Sequence, residues 1–476
     1  MCFDQTNRNE NISEAPKTFS FCELLLKVCE VLFMVEIYAI GGYNEVGKNM
    51  TAVRVGNEII ILDMGLHLPN YINFTKDEDI TFADAKELIA AGAIPDESFL
   101  HQWKDQVKAI IPTHAHLDHV GAIPYLASNY DCPIICTPFT AEVIKAITKD
   151  EKIKLKNPIK ILNANSSLQV SENFKIEFIY ATHSTPQTVM VALHTEDGIV
   201  LYCNDFKFDN FPTIGSKPNY KRLIELGKEN VVALIVDSLY CEEARKMPSE
   251  IIAREMLKDV LIGTDSKGKA VIVTTFSSHL ARLKSIIECG KKMKRKIVFL
   301  GRSLSKYIAA GETVGLINFS KDAEIVKYSK QIKRKLAAIE KDGVDKYLLV
   351  ITGHQGEPKA TLSKMVDGEL PFKFRNGDHI IFSCNVIPTP TNVELRRILE
   401  DKLKKFGVRM FKGVHVSGHA AKEDIRELVQ FVKPKHIIPA HSESGPSNAL
   451  VELVTEMGFK KGENVHVIEN GKSLSF

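Results

Sequence analysis

A chain of 476 residues, 44% hydrophobic and 25% charged, has room for two or three domains with ordinary cores, which excludes disordered, collagen-like and disulfide-stapled designs. No apolar run reaches the ~18–20 residues of a membrane span, since the most apolar early stretch, Phe19 to Val35, is broken by Glu23, Lys27 and Glu30. A net charge of +3 hides an asymmetry: residues 241–400 hold 29 Lys and Arg against 19 Asp and Glu, and the remainder holds 33 against 40. A whole segment of one sign points to a polyanionic partner, and nine scattered cysteines suit reduced thiols in a cytoplasm.

Residues 1–33 read as an N-terminal extension ahead of Met34, where an alternating run from Val35 to Ile40 opens a strand that ends at Gly41-Gly42. Further strands are predicted at Glu58–Leu62, Val107–Ile111, Lys175–Tyr180, Gly198–Cys203 and 231–236, with helical periodicity over 83–90, 121–128 and 141–147. The middle of the chain is more regular. Strands at 270–275, 297–300, Tyr347–Ile351 and 379–383 alternate with helices at 278–289, 304–313 and 392–403, the pattern of an α/β unit with a largely parallel sheet. After Gly407 come a strand at 414–416, a helix at Lys422–Val432 and a strand at 436–439.

The densest chemistry is Thr113-His114-Ala115-His116-Leu117-Asp118-His119, directly after the strand Val107–Ile111. A lone histidine is more often structural than ligating, but three imidazoles and a carboxylate within six residues reverse that expectation. His114 and His116 alternate and face one ion; Asp118 and His119, turning into a helix, reach a second. Each ion needs about four ligands, so others must exist where strands end. His183, Asp205 and His441 each follow a predicted strand, and a carboxylate such as Asp205 bridges two metals with a hydroxide between them. Asp63, at the end of Glu58–Leu62, is expected to orient a ligand. In Ser417-Gly418-His419-Ala420 the glycine permits close backbone approach, and amides entering the next helix offer an anion site. Asp237, if near His419, would raise its pKa and keep it protonated as a phosphate-stabilising group or general acid. Gly353-His354-Gln355-Gly356 reads as a Gly-rich strand-to-helix loop.

The H-x-H-x-D-H spacing at His114 to His119, followed by His183, Asp205 and His441, resembles the metallo-β-lactamase superfamily. More than two hundred residues between Asp205 and His441 hold the basic α/β segment, which resembles the β-CASP insertion of the nucleic-acid-processing branch, as do Asp237 and Ser417 to Ala420. Within that branch the chain from Val35 onward resembles the ribonuclease J family, on Glu45 to Met50, Asp205 to Asp209, Gly301-Arg302-Ser303 and Thr352 to Pro358. It departs from bacterial members at Thr185-Pro186-Gln187 and at Asn204, where a glycine is usual, and its end about 35 residues after His441 is similar to the shorter archaeal form.

The resemblance implies a metallo-β-lactamase αββα sandwich built from residues 34–240 and 401–476, with a β-CASP domain inserted over 241–400. It implies two Zn2+ per chain on His114, His116, Asp118, His119, His183, Asp205 and His441. Asp118, Asp205, Asp237 and His419 would be catalytic, and Ser417, Gly418, His419 and Ala420 would contact substrate phosphate, with Ser277, Ser278 and Arg302 as further contacts. The implied activity is cytoplasmic 5′-to-3′ exonucleolytic hydrolysis of single-stranded RNA by a homodimer, with some endonuclease activity and a preference for 5′-monophosphate ends. A binding scaffold without turnover and a small-molecule hydrolase of the same fold are the competing expectations.

Overall fold

The computed structural model describes residues 35–75, 84–387 and 389–476; the expected extension 1–33, the start at Met34 and the first residue of the helix expected at 83–90 lie outside them. Three sheets organise the chain. The first has seven strands, ordered from Lys472–Ser475 through Val35–Gly41, Met50–Val55, Glu58–Leu62, Val107–Ile111 and Ile134–Cys136 to Ile159–Ile161. The second has six, ordered His436–Ala440, Val231–Asp237, Gly198–Cys203, Val189–Thr195, Lys175–Tyr180 and Ser167–Gln169. Both contain strands buried end to end, such as Glu58–Leu62 and Val231–Asp237, because apolar residues fill both faces. One face of each sheet meets the other through Ile37, Val53, Ile60, Phe178, Val191, Val200, Ile235 and Ile438. The outer face of the second sheet is covered by Leu223, Leu428 and Leu450, which sit on the helices Tyr220–Leu226, Lys422–Val432 and Ser444–Glu456. This is an αββα sandwich. Each fully buried large aliphatic or aromatic side chain in these cores contributes roughly 1.5–3 kcal/mol.

The third sheet is wholly parallel and six-stranded, in the order Ala323–Val326, Lys296–Leu300, Tyr347–Ile351, Val271–Thr274, His379–Phe382, Arg409–Phe411. Its last strand lies past residue 400. The helices Leu280–Lys292 and Arg302–Thr313 pack one of its faces toward the sandwich, where Leu283, Phe299 and Ile308 share a core with Ile61, Ile110 and Phe139. Among the described residues no helix is long and apolar enough to cross a membrane.

Two local expectations change. The helix expected over 121–128 is one α turn, Ile123–Leu126, followed by a 3-10 turn, Ala127–Asn129; Pro124 has no N–H with which to continue the turn Leu117–Val120 before it. Residues 414–416 run beside no strand. Their carbonyls are claimed by side chains instead: Ser383 Oγ donates to Val414 O at 2.8 Å, and the Arg282 guanidinium reaches Val414 O and Val416 O.

Arg282 is fully buried at this junction. It forks onto Glu250 (Nε to Oε1 2.6 Å, Nη2 to Oε2 2.8 Å) and donates Nη1 to Ser383 O at 2.8 Å. Glu250 N in turn donates to Asp209 at 2.8 Å. One ion pair thus ties the entry to the parallel unit, its helix Leu280–Lys292, and the linker that leads back to Ser417.

Candidate metal centre

Strand ends of the two sandwich sheets converge on one buried cluster. His114 and His116 follow the strand Val107–Ile111, Asp205 follows Gly198–Cys203, and His441 follows His436–Ala440. Three residues at these ends sit in the left-handed region: Asp63 (φ 58°), Asp205 (φ 52°) and His441 (φ 55°). Aspartate and histidine tolerate that region better than most side chains, and the cost of order 1–3 kcal/mol each is typical of functional positions.

The cluster has two halves that share Asp205. In the first, His114 Nε2 and His183 Nε2 each lie 3.1 Å from His116 Nδ1, and 3.3 and 3.4 Å from Asp205 Oδ2. In the second, His119 Nε2 lies 3.3 Å from Asp205 Oδ2 and 3.7 Å from Asp118 Oδ2, and His441 Nε2 lies 3.7 Å from Asp205 Oδ1 and 3.8 Å from Asp118 Oδ2. Four tetrahedral ligands at zinc-like bond lengths lie about 3.3 Å from one another, so the spacing suits cations between them. Asp205 Oδ1 is buried and accepts no hydrogen bond, an orphan that a cation would satisfy.

Each imidazole has its other nitrogen engaged, which orients the ring, and the acceptor-only partners of His119 and His183 fix the tautomer that leaves a lone pair facing the cluster. His119 Nδ1 donates to Asp63 Oδ2 at 2.8 Å and His183 Nδ1 to Gly418 O at 2.7 Å, while His441 Nδ1 meets the Asn49 side-chain amide, 2.8 Å from Nδ2 and 3.0 Å from Oδ1. His116 Nε2 meets Ser278 Oγ at 3.0 Å. Thr113 Oγ1 donates to Asp63 Oδ1 and stands 3.0 Å from His114 Nδ1. Burial, reinforced by the charge of His119, pushes His114 down to about 4, so it is a neutral donor. Asp205 is held well below the usual carboxylate range because His441, His119 and His419 outweigh its burial.

His419 stands beside this cluster. Its Nδ1 donates to Asp237 Oδ2 at 2.8 Å and lies 3.9 Å from Asp205 Oδ1, and its ring stacks on His441 at 5.5 Å and 8°. Burial opposes its protonation, but Asp205 and Asp237 outweigh burial and raise it to about 9. Gly418 passes so close to His183 that a Cβ there would sit 2.9 Å from Nδ1, so the glycine serves the ligand's hydrogen bond. The N-terminus of Lys422–Val432 holds Asp424, whose Oδ2 accepts from Ala421 N and Met247 N.

A cleft of about 290 Å³ opens onto the cluster between the sandwich and the carboxyl ends of the parallel strands. Ser277, Ser278, Ser417, Gly418 and His419 line it. Arg302 is exposed and outside the cleft lining, and Ala420 is fully buried. Asn49 and Ser184 carry site geometry that single residues in a sequence do not announce. Asn49 Nδ2 donates to Asp118 O at 3.1 Å, and Asn204 Nδ2 donates to Asn49 Oδ1 at 3.2 Å, so the asparagine at the usual glycine position joins the support of His441. Ser184 Oγ lies 3.3 Å from His116 Nε2.

Three family models match the chain in tandem: the metallo-beta-lactamase superfamily over residues 44–260, the beta-CASP domain of ribonuclease J over 268–401, and the Zn-dependent metallo-hydrolase RNA specificity domain over 407–468. Ribonuclease J of Methanocaldococcus jannaschii is 45% identical over 443 residues, 93% of this chain and 99% of that protein. Ribonuclease J of Pyrococcus abyssi is 43% identical over 93% of this chain and 97% of its own length, and ribonuclease J 1 of Streptococcus pyogenes is 30% identical over 93% and 74%. A crystal structure of a protein of unknown function from Enterococcus faecalis V583 shares the fold, with a TM-score of 0.62 at 15% identity over 93% of this chain and 100% of that one.

Proposed function

Because the chain belongs to the ribonuclease J family, we propose that it degrades single-stranded RNA from the 5′ end in the 5′-to-3′ direction, prefers a 5′-monophosphate, cuts internally on occasion, and uses two zinc ions. It is a metal-dependent ribonuclease that binds RNA. The observation that carries the finer reading is the pair of candidate ligand sets sharing Asp205 beside a cleft lined from both the sandwich and the parallel sheet.

His114, His116 and His183 with Asp205 would hold one ion, and Asp118, His119 and His441 with Asp205 the other. Bound there, the ions would polarise the scissile phosphate and supply hydroxide at neutral pH. The protein's own groups do the rest. Asp63 and Asn49 keep His119 and His441 turned so that Nε2 faces the centre. His419, its proton held by Asp237, would hydrogen-bond a non-bridging oxygen as charge builds or return a proton to the leaving oxygen. Ser278 and Ser417 line the cleft and would position the phosphate, with Gly418 amide backbone close by. A terminal monophosphate gains charge-assisted hydrogen bonds there that a 5′-hydroxyl lacks. Arg302, exposed at the start of Arg302–Thr313, and Ala420 would act at longer range, the first on the approaching strand and the second by packing the loop. We read the sandwich as residues 34–240 and 401–476 and the inserted domain as 241–400, in a cytoplasmic homodimer.

The test is a product ladder from 5′- and 3′-labelled RNA carrying either a 5′-monophosphate or a 5′-hydroxyl, run beside metal analysis and light scattering. Mononucleotides released from the 5′ end, faster on the monophosphate, with two zinc ions per chain and a dimer mass, are expected. Equal rates on the two ends, release from the 3′ end, or a single ion in active protein would overturn the corresponding part.

A further inference from the structure

The cleft that receives a polyanion is walled largely by carbon. Beside the metal centre it is lined by Phe276, His354, Val386 and Ile387, residues that follow three adjacent parallel strands, Val271–Thr274, Tyr347–Ile351 and His379–Phe382. Open parallel sheets bind ligands at these carboxyl ends. The Phe276 ring meets the His354 ring edge-on at 4.4 Å and 68°. Among the described residues no group hydrogen-bonds to the His354 imidazole, and its Nδ1 is buried without a partner there, 3.9 Å from Glu357 Oε1.

The wall is also held in shape. Gln355, nearly fully buried, donates Nε2 to Asn385 O at 2.9 Å and accepts from Ile387 N at 3.0 Å, which fastens the loop after one strand to the loop after another. Arg396, also buried, donates to His354 O at 2.6 Å. Two buried polar side chains therefore fix the backbone on either side of an imidazole that makes no hydrogen bond of its own. Such rigidity lowers the ordering cost of binding.

We propose that Phe276 and His354 form a nucleobase subsite, in which one base of the RNA stacks on the Phe276 ring and its edge hydrogen-bonds to His354. The proposal rests on the ribonuclease reading above. A base fits where a phosphate does not: the flanking Val386 and Ile387 offer no hydration, and burial lowers His354, favouring the neutral ring with one donor and one acceptor that a base edge matches. The subsite has a place along the strand. Phe276 is two residues from Ser278, whose Oγ touches His116, and two residues span at most about 7 Å. The base therefore belongs to a nucleotide within two of the scissile phosphate.

The test uses metal-loaded full-length protein and 5′-monophosphorylated RNA oligomers with one abasic ribose at successive positions, reading both affinity and single-turnover cleavage. Wild-type protein should lose about 5- to 100-fold, the range for one base–aromatic stack, at one position within two nucleotides of the cut. Phe276→Ala should lose a similar factor on intact RNA and nothing further at that abasic position, and Phe276→Tyr should restore the wild-type pattern. His354→Phe should leave the abasic rate unchanged and flatten the preference among the four bases there. A Phe276→Ala loss equal on intact and abasic RNA, or no position-specific abasic penalty in wild type, would overturn the subsite. Wild-type protein that shows the penalty in affinity but does not cut would overturn the ribonuclease reading alone.

Discussion

The sandwich and the parallel sheet both present function at the carboxyl ends of strands, but they do so with opposite chemistry. The sandwich ends carry imidazoles and carboxylates packed at 3.1–4.0 Å, three of the residues there in left-handed backbone. The parallel sheet ends carry hydroxyls, aromatic rings and aliphatic side chains. Charge that must be held against its own repulsion needs a rigid, buried, over-determined frame. A surface that receives many different bases needs shape and π faces and no fixed charge. The division of labour predicts that damage to the first region destroys turnover, while damage to the second changes which RNA is favoured.

Ranked by effect on turnover, Asp205→Ala comes first, because Asp205 is, among the described residues, the one common to both proposed ligand sets. Turnover should fall below detection and metal analysis should show loss of the two proposed ions, while the far-ultraviolet circular dichroism stays native, since the cores are apolar and lie apart from the cluster. A variant that keeps both ions would break the shared-ligand assignment. Asp237→Asn should come next. It leaves the ligands in place but removes the carboxylate that holds the His419 proton, so single-turnover cleavage should drop about 100-fold or more with metal content unchanged. Parallel loss of metal would mean that Asp237 supports the centre rather than the proton.

Asn49→Ala should follow, with a 10- to 100-fold loss of metal affinity, the usual cost of removing a group that orients a ligand, read by competition with a chelating dye. Asn204→Gly should shift the same affinity less, because Asn204 reaches His441 only through Asn49.

The sequence made the first region far more legible than the second. His114 to His119 are dense enough to announce themselves, and His183, Asp205 and His441 follow apolar strands whose ends were readable. The pairing of Asp237 with His419 was an expectation from their types and is a 2.8 Å hydrogen bond. Asn49, Ser184 and Asn204 were not legible as supports because one amide or hydroxyl looks like any other until the fold brings it to a ring nitrogen. Phe276 and His354 are 78 residues apart, and only the strand order of the parallel sheet makes them neighbours. The run at 414–416 misled because its apolar alternation imitates a strand, while Arg282 and Ser383 take up the carbonyls that a ladder would use.

Arg282 joins the two regions and yields the smallest expected change in turnover, and it separates stability from positioning. Arg282→Met leaves Glu250 buried without its guanidinium partner and with His279 Nε2 at 3.3 Å, at a cost of up to about 3–5 kcal/mol, read by urea unfolding of the whole chain. Removing the partner as well, in Arg282→Met with Glu250→Met, takes away the unpaired charge, and replacement of a buried pair by apolar side chains is often nearly neutral. The carbonyls of Ser383, Val414 and Val416 still lose a donor, at about 1–3 kcal/mol for a buried group left unmatched, so recovery should be partial. Cleavage should stay within about tenfold of wild type in the double variant, since Arg282 touches the linker to Ser417 and, through Ser383, the segment that leads to Val386 and Ile387 without lining the cleft itself. The acid limb gives an independent reading. Against its burial, Arg282 and His279 hold the Glu250 carboxyl well below the usual range, so the ionised partner stabilises the fold above the unfolded glutamate pKa and that contribution is lost only as pH falls through the depressed value. The stability gap between wild type and Arg282→Met should therefore close as the pH falls below about 4, and a gap that persists unchanged in acid would show that the guanidinium works through the carbonyls alone.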